Sequence, residues 1–124
     1  MNGLTDKKIL GNFGEAAVCK HYKKNKYKIT DVNYSCYFGE IDVIAENREC
    51  LAFIEVKTRT EGTGIYSAKE AVTQKKLERI HKTAEHYITV NRVDKNIRFD
   101  VAEVYVKKIG DKLKVVSVEC YENI

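Results

Sequence analysis

Two short apolar segments of the chain contain acidic and basic residues at spacings that could support chemistry. Glu55 and Lys57 lie two positions apart in the second segment, and Glu40 and Asp42 lie two positions apart in the first. Residues two apart on a β-strand share one face of a sheet. If both segments are strands, each therefore presents two ionisable side chains on one face, at positions where the surrounding apolar pattern predicts core.

The two segments, residues 39–46 and 50–59, are predicted to form a β-hairpin. Both are rich in Ile, Val and Phe, and the polar residues Asn47, Arg48 and Glu49 separate them. Short β-prone runs on either side of a polar turn are typical of hairpins.

The register of this hairpin decides which side chains meet. If the turn is centred between Arg48 and Glu49, the numbers of partner residues sum to 97, so Asp42 lies opposite Glu55. The same register places Glu40 opposite Lys57. Directly opposed residues have β-carbons about 4.5 to 5.5 Å apart, and two carboxylates so close repel each other unless a positive charge lies between them. A slip of one residue would move them to opposite faces.

A divalent metal is one group that could neutralise Asp42 and Glu55. Mg²⁺ prefers oxygen ligands and usually keeps several waters while one or two carboxylates hold it. A metal held this way can activate water and stabilise charge on a phosphodiester. Lys57 would then orient the attacking water or neutralise the developing charge. The alternative is an exposed ion cluster of little energetic value, in which Glu40 pairs with Lys57 and Glu55 with Arg59.

The remaining elements are predicted from periodicity and capping signals. A helix over residues 6–24 is followed by a strand over 27–34, the hairpin, a long helix opened by a capping box at 67–70 and ending near 87, and strands over 97–106 and 113–118. This order, α-β-β-β-α-β-β, indicates an α/β or α+β layered domain with a central sheet. Residues 1–124 lack proline, repeats and linker composition, so a single domain is expected.

Composition excludes several classes of protein. No segment has the roughly 20 apolar residues of a membrane span or the apolar run of a secretory signal, so a cytoplasmic protein is expected. The four cysteines form no Cys-x-x-Cys pair, which disfavours a zinc cluster or a disulfide framework. The net charge of +4 is concentrated in the two helices. Such basic helices suit a polyanion or are simply solvated faces.

Other charged residues have two interpretations each. Glu15 lies at the margin of the first helix's apolar arc, where it either points to the charged end of the sheet or lies in solvent. Arg59 either contacts DNA or pairs with Glu55. Arg98 and Asp100, on one strand face, are predicted to form a structural ion pair. The second helix carries basic residues that could contact phosphates, namely Lys69, Lys75, Lys76, Arg79 and Lys82.

Several ordered motifs resemble the YraN-like family of bacterial proteins. They are GNFGEAA at residues 11–17, GEIDVIA at 39–45, FIEVKTR at 53–59, EAV at 70–72 with Lys76, and RFDV at 98–101. That family is similar to archaeal Holliday junction resolvases within the restriction-endonuclease-like superfamily. The resemblance implies a restriction-endonuclease-like core, with a central mixed five-stranded sheet flanked by helices.

The resemblance also implies roles for individual residues. Asp42 and Glu55 would be metal ligands together with the backbone carbonyl of Val56, Lys57 the catalytic lysine and Glu15 an accessory acidic residue. Among the basic residues of the second helix, Lys76 matches the family pattern.

The activity implied is a metal-dependent endonuclease that uses Mg²⁺ or Mn²⁺. Its substrate would be branched or structured DNA, often bound by a homodimer. A nucleic-acid-binding protein that keeps the fold but has little activity is the alternative.

Overall fold

A computed structural model describes residues 7–60 and 73–123 of the chain. Its elements, in chain order, are α1 (Lys7–Lys24), β1 (Lys28–Cys36), β2 (Gly39–Glu46), β3 (Cys50–Thr60), α2 (Gln74–Asn91), β4 (Asn96–Ile109) and β5 (Lys112–Tyr121). The predicted order of helices and strands is confirmed. Neither helix of the described ranges is both long and apolar enough to cross a membrane.

The five strands form one mixed sheet in the order β1-β2-β3-β4-β5. Neighbours pair antiparallel except β3 and β4, which are parallel, so the chain crosses over from β3 to β4 through α2. β3 is therefore the central strand, with backbone partners on both sides. The mixed α+β fold predicted from the sequence is confirmed.

The two helices cover opposite faces of the sheet. Val18 and Tyr22 of α1 pack against a buried cluster that includes Val43, Ile54 and Val104. On the other face, α2 contributes three buried side chains, Ile80, Ala84 and Tyr87, which pack with Ile44, Leu51 and Phe53. Alternating β3 side chains thus belong to different clusters, as expected for a strand buried on both faces.

α1 approaches β3 closely at Gly14. A β-carbon built at this position would lie 1.8 Å from Thr58 Oγ1, far inside van der Waals contact. Only glycine allows the helix to lie at this distance from the strand. Because Glu15 is the next residue, this contact also fixes its position near the end of the sheet.

The structure moves the start of the second helix. Thr73 is its N-cap, and Thr73 Oγ1 accepts a hydrogen bond from Lys76 N at 3.2 Å. The predicted capping box at residues 67–70 lies outside the described residues, as does Asp6, which the sequence placed in the first turn of α1. The helix also continues past residue 87, to Asn91.

Arg98 and Asp100 form the predicted ion pair in the core. Two guanidinium nitrogens of Arg98 donate to the carboxylate at 2.9 and 2.8 Å, and Tyr22 Oη donates to it at 2.8 Å. Asp100 is only 1% exposed. These partners satisfy the buried carboxylate, so the pair is structural and lies apart from the charged residues of β2 and β3.

Candidate functional site

The hairpin register brings Asp42 and Glu55 together. The ladder between β2 and β3 ends at Val43 paired with Ile54, in the predicted register. One residue further on, Asp42 Oδ2 accepts a hydrogen bond from Val56 N at 2.8 Å. The carboxyl groups of Asp42 and Glu55 lie close enough for each to shift the pKa of the other. The predicted meeting of these carboxyls is confirmed.

The two carboxyl groups shift each other's pKa in opposite directions. Burial, followed by the hydrogen-bond and charge effects of Glu55, raises the pKa of Asp42 to about 8. Burial alone would raise the pKa of Glu55 as well, but Asp42, Lys76 and Lys57 together outweigh it and lower that pKa. Asp42 and Glu55 therefore titrate as a pair and not independently.

Two lysines lie beside this pair. Lys76 Nζ, from α2, is 2.5 Å from Glu55 Oε2, and the two side chains are 37% and 11% exposed. Lys57 is half-buried, and burial together with the neighbouring Lys76 lowers its pKa. Burial would also lower the pKa of Lys76, but its hydrogen bonds to Glu55 and Lys57 and the charges of Glu55 and Asp42 together outweigh burial and raise that pKa. The pKa of Lys57 is therefore lowered and that of Lys76 is raised, although both side chains lie beside the same carboxyl pair.

The alternative pairings predicted for an exposed ion cluster are absent among the ion pairs of the described residues. Glu55 pairs with Lys76 of α2, not with Arg59. Arg59 is four residues along β3, about 13 Å at the usual rise of a strand. Because Glu55 is largely buried and its partner comes from another element, the cluster is built by tertiary packing.

Glu15 reaches the same end of the sheet from α1. Asn33 Nδ2 of β1 donates to Glu15 Oε1 at 3.0 Å. Burial raises the pKa of Glu15, with the charges of Glu40 and Glu55 adding to the effect. Glu15 therefore points to the charged end of the sheet, one of its two predicted positions, while its carboxyl group remains partly in solvent.

Asn33 was not predicted from the sequence. Its neighbours Val32 and Tyr34 pair with Val43 and Ile41, so Asn33 lies opposite Asp42 in the β1–β2 ladder. Asn33 also has a left-handed backbone, with φ of 54°, a conformation that Asn tolerates better than most residues. That conformation within a strand is visible only in the structure.

These residues line an open cleft of about 670 Å³ between α1, the ends of β2 and β3, and the start of α2. Its acidic members are Glu15, Glu40, Asp42 and Glu55, and its basic members are Lys57, Lys75, Lys76 and Arg79. The cleft therefore has carboxyl groups from the sheet and α1 on one side and positive charges from α2 on the other. An anion entering it meets the basic side chains.

The remaining predicted nucleic-acid contacts are placed as follows. Lys75 is exposed on the rim of the cleft, and Lys76 lies within it. Arg59 is part-buried on β3 and is not among the residues that line the cleft. Lys69 lies outside the described residues. Arg79, which the sequence placed only among the basic residues of the helix, does line the cleft.

The donor set suits a hard divalent cation. No group of three or more His, Cys, Asp or Glu residues with metal-binding geometry occurs in residues 7–60 and 73–123. Asp42 and Glu55 are part-buried and close together, and a divalent cation held between them would offset the repulsion of two ionised carboxylates. Mg²⁺ and Mn²⁺ accept a site of two carboxylates with water completing the shell. Val56, predicted to add its carbonyl, also lines the cleft.

Fold and site together define a mixed α+β protein with a carboxyl pair and a lysine pair at one end of its central strand. The chain belongs to the uncharacterised protein family UPF0102, whose model matches residues 14–104. The resemblance to the YraN-like family is thereby confirmed. The matched residues include Glu15, Asp42, Glu55, Lys57 and Lys76.

Relatives from several bacteria cover nearly the whole chain. A UPF0102 protein of Acetivibrio thermocellus is 38% identical over 120 residues, 95% of this chain and 92% of the relative. A UPF0102 protein of Clostridium acetobutylicum is 37% identical over 114 residues, 90% of this chain and 92% of the relative. One from Alkaliphilus oremlandii is 41% identical over 116 residues, 90% of this chain and 96% of the relative.

Proposed function

We propose that this protein is a metal-dependent endonuclease that hydrolyses phosphodiester bonds of branched or otherwise structured DNA. The observation that carries the proposal is the close pair of Asp42 and Glu55 beside Lys57 in an open cleft. The motifs that resemble the restriction-endonuclease-like superfamily and archaeal Holliday junction resolvases support the choice of DNA.

Asp42 and Glu55 would hold Mg²⁺ or Mn²⁺, with the Val56 carbonyl as a further ligand. When bound, such an ion supplies an activated water and stabilises negative charge on a phosphate. The backbone hydrogen bond from Val56 N orients the Asp42 carboxylate, which leaves its other oxygen for a ligand. Ordered second contacts of this kind fix the direction of a ligating group.

Lys57 and Lys76 would act on the phosphate. Lys57 is on the central strand beside the carboxyl pair, where it can orient the attacking water or neutralise charge that develops on the phosphate. Lys76 neutralises Glu55 in the metal-free protein. With a cation held by Asp42 and Glu55, the Lys76 ammonium would be free to contact a phosphate oxygen.

Residues at the edge of the cleft would position the substrate. Lys75 and Arg79 present positive charge on the α2 side, where they would contact backbone phosphates. Glu15, held by Asn33, would act as an accessory acidic residue that helps to place the cation or its waters.

The test is a cleavage panel on four-way junction, flap and single-stranded DNA with Mg²⁺ or Mn²⁺. We expect Asp42→Asn, Glu55→Gln and Lys57→Met each to lower the cleavage rate by about 10²-fold or more. Matched controls are Asp94→Asn, an exposed aspartate, Glu46→Gln, which breaks an exposed ion pair with Lys95, and Lys95→Met, which breaks the same pair and a hydrogen bond to Asn47 O. Controls should cleave at the wild-type rate.

Cleavage that persists unchanged in Asp42→Asn would mean that a contaminating nuclease is responsible, and the assignment would be abandoned. The nuclease assignment would also be abandoned if no DNA in the panel is cut with either metal at any pH between 6 and 9.

A second candidate is a nucleic-acid-binding protein without catalysis. The observation that favours it is the ammonium of Lys76 on Glu55, because it neutralises the carboxylate without any metal. Titration calorimetry with Mn²⁺ separates the two candidates. Binding that is lost in Asp42→Asn supports the nuclease, and no binding at millimolar Mn²⁺ supports the binding protein.

A further inference from the structure

The loop between β1 and β2 exposes two aromatic side chains at the rim of the cleft. Cys36 pairs with Gly39, so Tyr37 and Phe38 are the whole of a two-residue hairpin loop. Tyr37 is 96% exposed and Phe38 is 43% exposed. Their rings contact each other edge to face, with centroids 5.5 Å apart.

The requirements of the turn do not explain these residues. Neither Tyr37 nor Phe38 has a positive φ, so this turn does not need the Asn or Gly of the commonest two-residue hairpin loops and would accept most residue types. The turn therefore does not select aromatic residues, and a fully exposed ring such as that of Tyr37 contributes almost nothing to the core. Two adjacent aromatic side chains at this position therefore indicate a ligand with an apolar, planar surface.

The loop leads directly into residues that line the candidate site and pack close to α2. Gly39 has a φ of 151°, and a β-carbon added there would lie 3.3 Å from Thr83 Oγ1 of α2. Gly39 and Glu40 both line the cleft, on the rim that also holds Arg79. Tyr37 and Phe38 thus lie one or two positions along the chain from Gly39, which lines the cleft.

We propose that Tyr37 and Phe38 form a stacking platform for an unpaired nucleobase of structured DNA. The inference rests on the proposed function and specifies its substrate: DNA in which at least one base lies outside a continuous duplex. Basic side chains on the same rim, Lys75 and Arg79, favour a polyanion with planar groups over an apolar protein surface. A paired base within a duplex has no free face for the rings to cover.

The experiment measures binding without cleavage, using the full chain in EDTA. Two 30-base-pair DNA probes share one strand that carries 2-aminopurine. The complementary strand differs, so that the 2-aminopurine is unpaired in a small bubble in one probe and paired in the other. Wild-type protein should quench the fluorophore in the bubble and bind that probe more tightly. Tyr37→Ala should weaken binding to the bubble by roughly tenfold and abolish the quenching, with less than a twofold change on the duplex.

Three further variants identify the property of the ring that matters. Tyr37→Phe keeps the aromatic face and should behave as wild type. Tyr37→Leu keeps apolar bulk without a π-face and should behave as Tyr37→Ala. Val90→Ala removes another exposed apolar side chain, which is 63% exposed on α2, and should change nothing.

Several results would overturn the platform. One is a loss of affinity in Tyr37→Ala that is equal for the two probes, and another is wild-type behaviour of Tyr37→Leu. A third is a wild-type dimer in sedimentation velocity that Tyr37→Ala dissociates, because the rings would then form a contact between copies of the chain. If the affinity for the bubble probe does not depend on Tyr37, the stacking platform is contradicted but the nuclease proposal is not. If the rings stack but no DNA is cut with metal, the platform stands and the nuclease proposal falls.

Discussion

Asp42 couples the candidate site to the stability of the fold. In the folded protein its pKa is raised to about 8, mainly by burial and then by Glu55, against an ordinary value of 3.8. Between these pH values the folded chain binds a proton that the unfolded chain has released. The contribution of this group to the free energy of unfolding is therefore full below pH 4 and is lost as pH rises to about 8.

Replacing Asp42 by asparagine should remove this pH dependence. The amide oxygen can still accept the hydrogen bond from Val56 N, so we expect Asp42→Asn to be more stable than wild type above pH 8, by about 1 to 3 kcal/mol. Urea unfolding at pH 5 and pH 8.5 without metal measures this, and Asp94→Asn is the control. Curves whose separation does not change with pH would contradict the raised pKa.

The site residues differ in how far the sequence determines them. Asp42 and Glu55 were predictable because a short hairpin fixes its own register. The ion pair of Lys76 with Glu55 was not, because it depends on how α2 packs against the sheet. Asn33 was missed because its place opposite Asp42 follows an irregularity in the β1–β2 ladder, between Ile29 and Asp31.

At the scale of elements, the contact between α1 and β3 positions the acidic side of the cleft. Gly14 allows the helix to touch Thr58, and Glu15 follows directly. Gly11, one turn earlier, has no atom within 4 Å of a built β-carbon. The two glycines are therefore a matched pair: they share a helix, but only one of them is required by packing.

Substitution of these glycines by alanine should have opposite effects. Gly11→Ala should stabilise the protein by up to about 1 kcal/mol through helix propensity. Gly14→Ala should destabilise it by about 1 to 3 kcal/mol, because the methyl group overpacks the contact with Thr58. Thermal unfolding of both variants measures the difference. Equal effects would mean that the helix can shift away from the strand at no cost.

The start of α2 illustrates why element boundaries are harder to predict than element order. Residues 67–70 carry a local capping signal, and Thr73 carries a weaker one without an acidic residue three positions later. The order of the elements is set by periodic patterns that each extend over many residues. The start of a helix depends on a single capping residue, and tertiary packing can decide which of two candidates fills that position.

At the scale of the whole molecule, the small net charge of +4 conceals a separation of charge across the cleft. Carboxyl groups come from the sheet and α1, whereas three positive side chains, Lys75, Lys76 and Arg79, come from α2. Binding of a nucleic acid should therefore depend steeply on salt, because each phosphate contact releases a counterion.

This dependence can be divided among residues. Lys75→Ala and Arg79→Ala should each reduce the slope of log K against log salt by about 0.7 to 0.9 on the probes described above. Arg48→Ala, exposed in the turn at the opposite end of β2 and β3, should leave the slope unchanged. If all three variants gave the same slope, the bound DNA would not follow the α2 side of the cleft.

The parallel pairing of β3 with β4 also has a consequence for the kinetics of folding. β2 and β3 are joined by a short turn, whereas Cys50 pairs with Asn96 only after the whole of α2 has been crossed. Local pairings close at lower entropic cost, so the hairpin that brings Asp42 and Glu55 together should form earlier than the contacts that deliver Lys76.

Two fully buried valines allow a direct comparison of φ-values. Val43 lies in β2 and Val104 in β4, and both are 0% exposed. Val43→Ala should mainly slow folding and Val104→Ala mainly speed unfolding in stopped-flow chevrons. The reverse order would place α2 and β4 in the nucleus. If the hairpin forms first, the carboxyl groups of Asp42 and Glu55 come together during folding before the Lys76 ammonium reaches them.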